Sequence, residues 1–367
     1  MKTVTTVLCM LPLCLLASCK KTPAAVAADE PVRAYCIDYN WGEGGAHGFA
    51  RPGLWADADP EAHVRWYADL GCNVIQSFAV SCNGYAWYKN GIIPEQPGLK
   101  HDFLTEQVRL ARPLGMKVIG YFCAGANNKW EEDHPDLCYQ MDGQQIPFTQ
   151  QYLDYLCASI DDAIRKTGID GIMLDWFYNP GGGRSPLPPL RWLPCEQEMY
   201  RELTGEDFPG TDSMTAETEL SFRRKAIDRA WKQIRETAKR AKSDCIIWLT
   251  AYEVNSEEYQ GNSVLKEVDW LMNESGDIER TQAMQSLVGT HTKLITCLAN
   301  WNGQNPLETV PDALARGIGI YGFTKPVAGS AMPPVDTYLA ARLDTLQGDA
   351  LNIAVLARCF NGLPPGE

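Results

Sequence analysis

"TGIDGIMLDWFYNPGGG", residues 167–183, leaves a helix at Gly168, passes through a short apolar strand and breaks into glycines. The segment "GIMLDWF" (171–177) is too short for a helix and too apolar for a strand with one wet face. It reads as a strand buried on both sides, the kind found in parallel sheets. Yet Asp175 stands near its end, with Trp176, Phe177 and Tyr178 directly behind. A buried ionised carboxylate is costly unless something pairs with it, solvates it or uses it.

Outward from this stretch the same pattern recurs. Apolar strands are expected at "RAYCIDY" (33–39), "CNVIQSF" (72–78), "KVIGYF" (117–122), "CIIWLTAY" (245–252), "DWLMNE" (269–274), "KLITCL" (293–298) and "GIGIYGF" (317–323). Amphipathic helices fit between them. "DPEAHVRWYADLG" (59–71) has a proline near its start and a glycine stop, and "TEQVRLARPLG" (105–115) ends the same way. "FTQQYLDYLCASIDDAIRKTG" (148–168) and "TELSFRRKAIDRAWKQIRETAKRAK" (218–242) repeat apolar residues every three or four positions, and "VPDALARG" (310–317) is a short helix before the last strand. Eight strand–helix units in this length predict an α/β fold, a single-domain (β/α)8 TIM barrel. An open doubly wound sheet would more often carry a glycine-rich phosphate turn after its first strand. "NWGEGGAHG" (40–48) lacks the required glycine spacing, and no helix starts there.

The ends of the chain read differently. Residues 1–18 have one lysine and an apolar run too short to span a membrane, as in a secretory signal. The "LASC" ending resembles a bacterial lipobox, which makes Cys19 the expected lipidated residue; cleavage within "AAVAA" (24–28) is the alternative. Residues 19–31 read as a flexible tether and 32–367 as the barrel. The expected location is the cell envelope, with a lipid anchor to the membrane. A formal net charge of -13 argues against nucleic acid as a partner. Cys36, Cys123, Cys245 and Cys297 fall in apolar strands as small hydrophobes, and no CxxC pair or His-rich metal motif occurs. No metal and no cofactor is expected. His63 falls within a helix and reads as a satisfied residue.

Barrel sites lie at the C-terminal ends of the strands. There the sequence places Asp38, Asn40 and Trp41 after strand one, and Gln76 and Ser77 on strand two. Strand three brings Tyr121, Asn127, Asn128 and Trp130; strand four brings Asp175 and Trp176. Glu253, Glu274, Asn300 with Trp301, and Lys325 follow strands five to eight. Carboxylates, amides and tryptophans together suit a sugar, since aromatic faces stack on its C–H surface while acids and amides bind its hydroxyls. Side-chain alternation puts Gly171, Met173 and Asp175 on one face of strand four, and Trp270, Met272 and Glu274 on one face of strand six. Strands a quarter-turn apart in a barrel bring two such carboxyls to roughly 5 Å, the separation of nucleophile and acid/base in a retaining glycosidase. Glu253 is the alternative acid/base.

With these residues in place, the chain resembles the α-L-fucosidase-like superfamily of barrel glycoside hydrolases. The carriers are "GCNVIQSF" (71–78), "MKVIGYFCAG…NNKWEEDHPD" (116–136) and "IDGIMLDWF" (169–177). The resemblance spans roughly residues 33–325. It implies an exo-acting retaining enzyme that removes a terminal sugar from extracytoplasmic glycans, with Asp175 as nucleophile. The histidines that fucosidases set against sugar hydroxyls have no counterpart on strands one and three, so the sugar itself stays open. An α-galactosidase-like enzyme and a non-catalytic glycan-binding lipoprotein are the competing readings. The long segment 180–213 after strand four reads as a partly ordered lid with Arg191 or Trp192 reaching into the sugar site, or as a surface insertion that only covers helices.

Overall fold

The computed structural model describes residues 30–139, 146–177, 192–252 and 256–366. The signal, Cys19 and the tether up to residue 29 lie outside these, as do Glu253 and residues 180–191 of the expected lid, Arg191 among them. Eight strands close into a barrel in sequence order, each parallel to its neighbours. They are β1 (Arg33–Ile37), β2 (Val74–Val80), β3 (Lys117–Cys123), β4 (Gly171–Asp175), β5 (Ile246–Ala251), β6 (Trp270–Asn273), β7 (Lys293–Leu298) and β8 (Gly319–Thr324). The ring closes where Ala34 of β1 pairs with Tyr321 of β8. The fold is therefore the (β/α)8 barrel that the alternation predicts.

The helices in chain order are α1 (Pro60–Leu70), α2 (Phe103–Ala111), α3 (Asn128–Asp133), α4 (Gln150–Thr167), α5 (Pro194–Thr204), α6 (Ala216–Ala241), α7 (Val264–Glu267), α8 (Ile278–Ala283), α9 (Pro306–Ala315), α10 (Val335–Ala340) and α11 (Gly348–Phe360). Their ends follow local chemistry. Asp59 accepts from the Glu61 and Ala62 amides ahead of Pro60, and Gly71 closes α1 at φ 85°. Thr149 caps α4, which stops at Gly168 with φ 71°. The units after β5 and β6 carry only the short α7 and α8, matching the absence of a long amphipathic repeat there. Among the described residues no helix is long and apolar enough to cross a membrane.

Residues 31–367 form one compact unit. Inside the barrel, Trp248 of β5 meets Trp270 of β6 and Tyr321 of β8 at ring-centroid distances of 5.6 and 5.4 Å. The Tyr321 hydroxyl donates to Gln76 Oε1 of β2 at 2.7 Å, tying β8 to β2 past the intervening β1. This aromatic plug forms the floor on which the rim stands. Ile172 and Leu174, pointing the other way from β4, are fully buried. All ten cysteines in the described residues are free thiols.

Candidate active site

Above the plug lies a cavity of ≈ 160 Å³ at the C-terminal mouth of the barrel, and Asp38, Asp175 and Glu274 all line it. Asp175 ends β4 on the same face as Met173, which also lines the cavity. Its two oxygens are held separately. The Tyr121 hydroxyl, reaching across from β3, donates to Oδ2 at 2.7 Å, and the Trp176 amide donates to Oδ1 at 2.9 Å. Burial pushes the Asp175 carboxyl up to about 6, and these two hydrogen bonds pull against that rise. The bond to its own neighbour's amide is made with Trp176 at φ 50°, a left-handed conformation rare for a bulky residue. That break in the strand overrides alternation and swings Trp176 to the cavity instead of toward the helices.

Glu274 follows β6 directly, its amide bonded to the Ala251 carbonyl of β5. Thr250 Oγ1 donates to Glu274 Oε1 at 2.9 Å. Burial first, and the Asp175 charge second, push Glu274 up to about 8. The two buried acids thus share one cavity with their proton affinities set apart, Glu274 holding its proton to higher pH than Asp175. Asp38, beyond β1, accepts from the Asn40 amide at 2.7 Å and is raised by burial to about 7, with Asp175 adding to the rise.

The other residues expected at the rim divide into two groups. Asn40, Trp41, Tyr121, Trp176 and Trp301 line the first cavity. Asn300 and Lys325 line a second one of ≈ 290 Å³ beside it. Trp41 rides on a hairpin in which it pairs with Phe49, and a Cβ on Gly45 would meet the Phe49 carbonyl oxygen at 1.8 Å, so this turn closes only with glycine there. Asn127 and Trp130 do not reach either cavity. Asn127 Oδ1 caps α3 by accepting from the Trp130 amide, and the Trp130 ring is buried against Tyr152 and Tyr155. Trp192 packs on Phe208, Tyr200 and Phe222 between α5 and α6, so it serves the core and does not reach into either cavity as expected. His63 is buried, bonded to the Tyr39 hydroxyl and the Ser330 carbonyl. Thr250 and the orienting role of Tyr121 escaped sequence reading. A register argument would have found Thr250, which pairs with Met272 two residues before Glu274.

A family model described as hypothetical glycosyl hydrolase 6 matches residues 59–176, from α1 through β4 to Trp176. No curated protein matches the chain. Among solved structures, the chain is similar to alpha-L-fucosidase isoenzyme 2 from Paenibacillus thiaminolyticus at 17% identity and a TM-score of 0.61, over 88% of this chain and 48% of that one. It is also similar to a beta-galactosidase from Bacillus circulans sp. alkalophilus at 13% identity and a TM-score of 0.54, over 92% of this chain and 57% of that one. The chain thus spans about half the length of these two structures, and the likeness to them is one of barrel fold. Part of this chain matches a glycosyl hydrolase family model, on a barrel of the kind glycoside hydrolases use.

Proposed function

We propose that this protein is an exo-acting, retaining glycoside hydrolase that removes a terminal sugar from an extracytoplasmic glycan. The observation that carries the reading is a small cavity at the barrel mouth holding Asp175 and Glu274 with unequal proton affinities, walled by Trp41, Trp176 and Trp301. A cavity of ≈ 160 Å³ at the barrel mouth is of a size for a single sugar ring, which favours action at a chain end. Asp175 attacks the anomeric carbon, and Glu274 gives its proton to the glycosidic oxygen as that bond breaks. The released sugar or aglycone leaves as an alcohol, and the first ring stays bound through an ester to Asp175. Glu274, now ionised, takes a proton from water, which attacks the same carbon and restores the Asp175 carboxylate. Tyr121 and the Trp176 amide hold Asp175 as an anion and fix its direction of attack.

A panel of aryl glycosides tests this, with α-L-fucosides and α-galactosides at its head. Turnover that disappears in Asp175→Ala, with retention in the first-formed product by NMR, supports the reading. Binding without turnover points to a glycan-binding protein, and inversion sinks the two-step mechanism. The exported, lipid-anchored location through Cys19 belongs to the same proposal, and labelling with a fatty acid tests it.

A further inference from the structure

We infer that the second cavity is a binding site for the sugar on the leaving side of the scissile bond, so that the substrate is at least a disaccharide with a neutral second ring. This rests on the retaining reading above. The two cavities share a wall made by Asp38, Trp41, Trp301 and Phe323, and each is lined by all four. Trp301 stands on this wall with 63% of its surface exposed, backed by Phe323 at a ring-centroid distance of 4.9 Å. A large aromatic left in water on the rim of a site offers a stacking face that a monomeric core does not need.

The direction is set by the barrel order. Displacement at the anomeric carbon brings the nucleophile to one face and sends the leaving oxygen off the other. Asp175 ends β4, and in a closed ring of eight strands β4 stands opposite β8. The second cavity lies over the far side, between Asn300 after β7, Lys325 after β8 and Asp38 after β1. Glu274, after β6, sits between the two sides, where a proton donor to the departing oxygen belongs.

The polar groups choose the ring. Asp349 is held in place by the Thr324 hydroxyl and the Asn300 amide, which turns the Asn300 carbonyl oxygen free for a hydroxyl donor. Lys325 forms no ion pair among the described residues and supplies an N–H donor. One ammonium flanked by the carboxyls of Asp38 and Asp349 does not favour an anionic sugar.

The test compares kcat/KM for a disaccharide with that for the glycosyl fluoride of the same terminal sugar, whose leaving group has no ring to stack. In Trp301→Ala the ratio of disaccharide to fluoride should fall about tenfold, and Trp301→Phe should restore most of it. Lys325→Met should lower the same ratio. Trp301 is exposed, so thermal melting of the variant is expected to match the parent. A ratio that stays constant in both variants while the fluoride is turned over overturns the second site alone. A fluoride that is not turned over at all overturns the retaining reading and this inference with it. Faster cleavage when the second ring is a uronate overturns its neutral character.

Discussion

Replacing Tyr121 with Phe deletes one oxygen and leaves the ring in place against Phe78, 5.2 Å away. What it removes is the 2.7 Å hydrogen bond to Asp175 Oδ2, which is the largest influence opposing the effect of burial on that carboxyl. A hydrogen bond to a charged partner contributes about 1.5–3 kcal/mol, and each pH unit of proton affinity corresponds to about 1.36 kcal/mol. The Asp175 carboxyl, at about 6 in the intact site, should therefore rise by roughly one to two pH units. The sign follows from the role proposed for it. Asp175 must be ionised to attack, so activity rises with pH through its titration, and a raised value moves that limb to higher pH. Glu274 must be protonated, so activity falls as pH rises through about 8. The profile of kcat/KM against pH on an activated aryl glycoside should be a bell with limbs near 6 and 8 in the parent. In Tyr121→Phe the acid limb should crowd toward the basic one, with about a tenfold loss at pH 6 and much less at pH 8. An acid limb that stays put in a folded variant refutes the assignment. Asp38, raised to about 7, is then the group to test with Asp38→Asn.

Glu274→Gln should abolish the basic limb, and Glu274→Ala should spare substrates with good leaving groups and respond to azide by faster release of the bound sugar. If Glu253→Ala behaves that way and Glu274→Ala does not, the acid/base belongs after β5. Thr250→Val removes the one hydrogen bond that lowers Glu274, so the basic limb should move upward in pH; an unmoved limb would detach Thr250 from the proton donor. Asp175→Asn should eliminate turnover and raise the melting temperature by a few degrees. Its folded-state proton affinity lies above the unfolded one, so its contribution to stability is fully present at low pH and is lost as pH rises through about 6. The difference in melting temperature between Asp175→Asn and the parent should hence grow from pH 5 to pH 8, and a constant difference would count against the buried charge.

The barrel was legible because several strands carry their own punctuation. Gly71, Gly115 and Gly168 each stop a helix or turn a few residues before an apolar run, and all three adopt left-handed backbone. The placement of Asp175 and Glu274 at the barrel mouth was legible because side-chain alternation survives to the ends of β4 and β6. The tryptophans were harder. Trp130 and Trp41 look alike in sequence, yet one fills the space behind α3 and the other faces the cavity, a difference that depends on where the chain turns after the strand. Trp176 was placed at the site by its neighbourhood, although strict alternation would have turned it away; the deciding φ of 50° is a tertiary outcome. Tyr121 and Thr250 act through another strand's carboxylate, and pairing between strands is not written in either strand alone.

The free cysteines give the barrel a built-in set of clocks. Cys36 in β1, Cys123 in β3 and Cys297 in β7 are buried at three points around the ring, and burial holds the Cys36 and Cys297 thiols well above their ordinary range. A thiol in that state meets an alkylating reagent only when its part of the wall opens. The order in which a mass spectrometer sees these three positions become labelled is then the order in which the staves of the barrel come apart, with no probe attached to the protein. Labelling in a single step would mean that the ring opens as one unit, and a leading Cys36 would locate the seam where β1 meets β8.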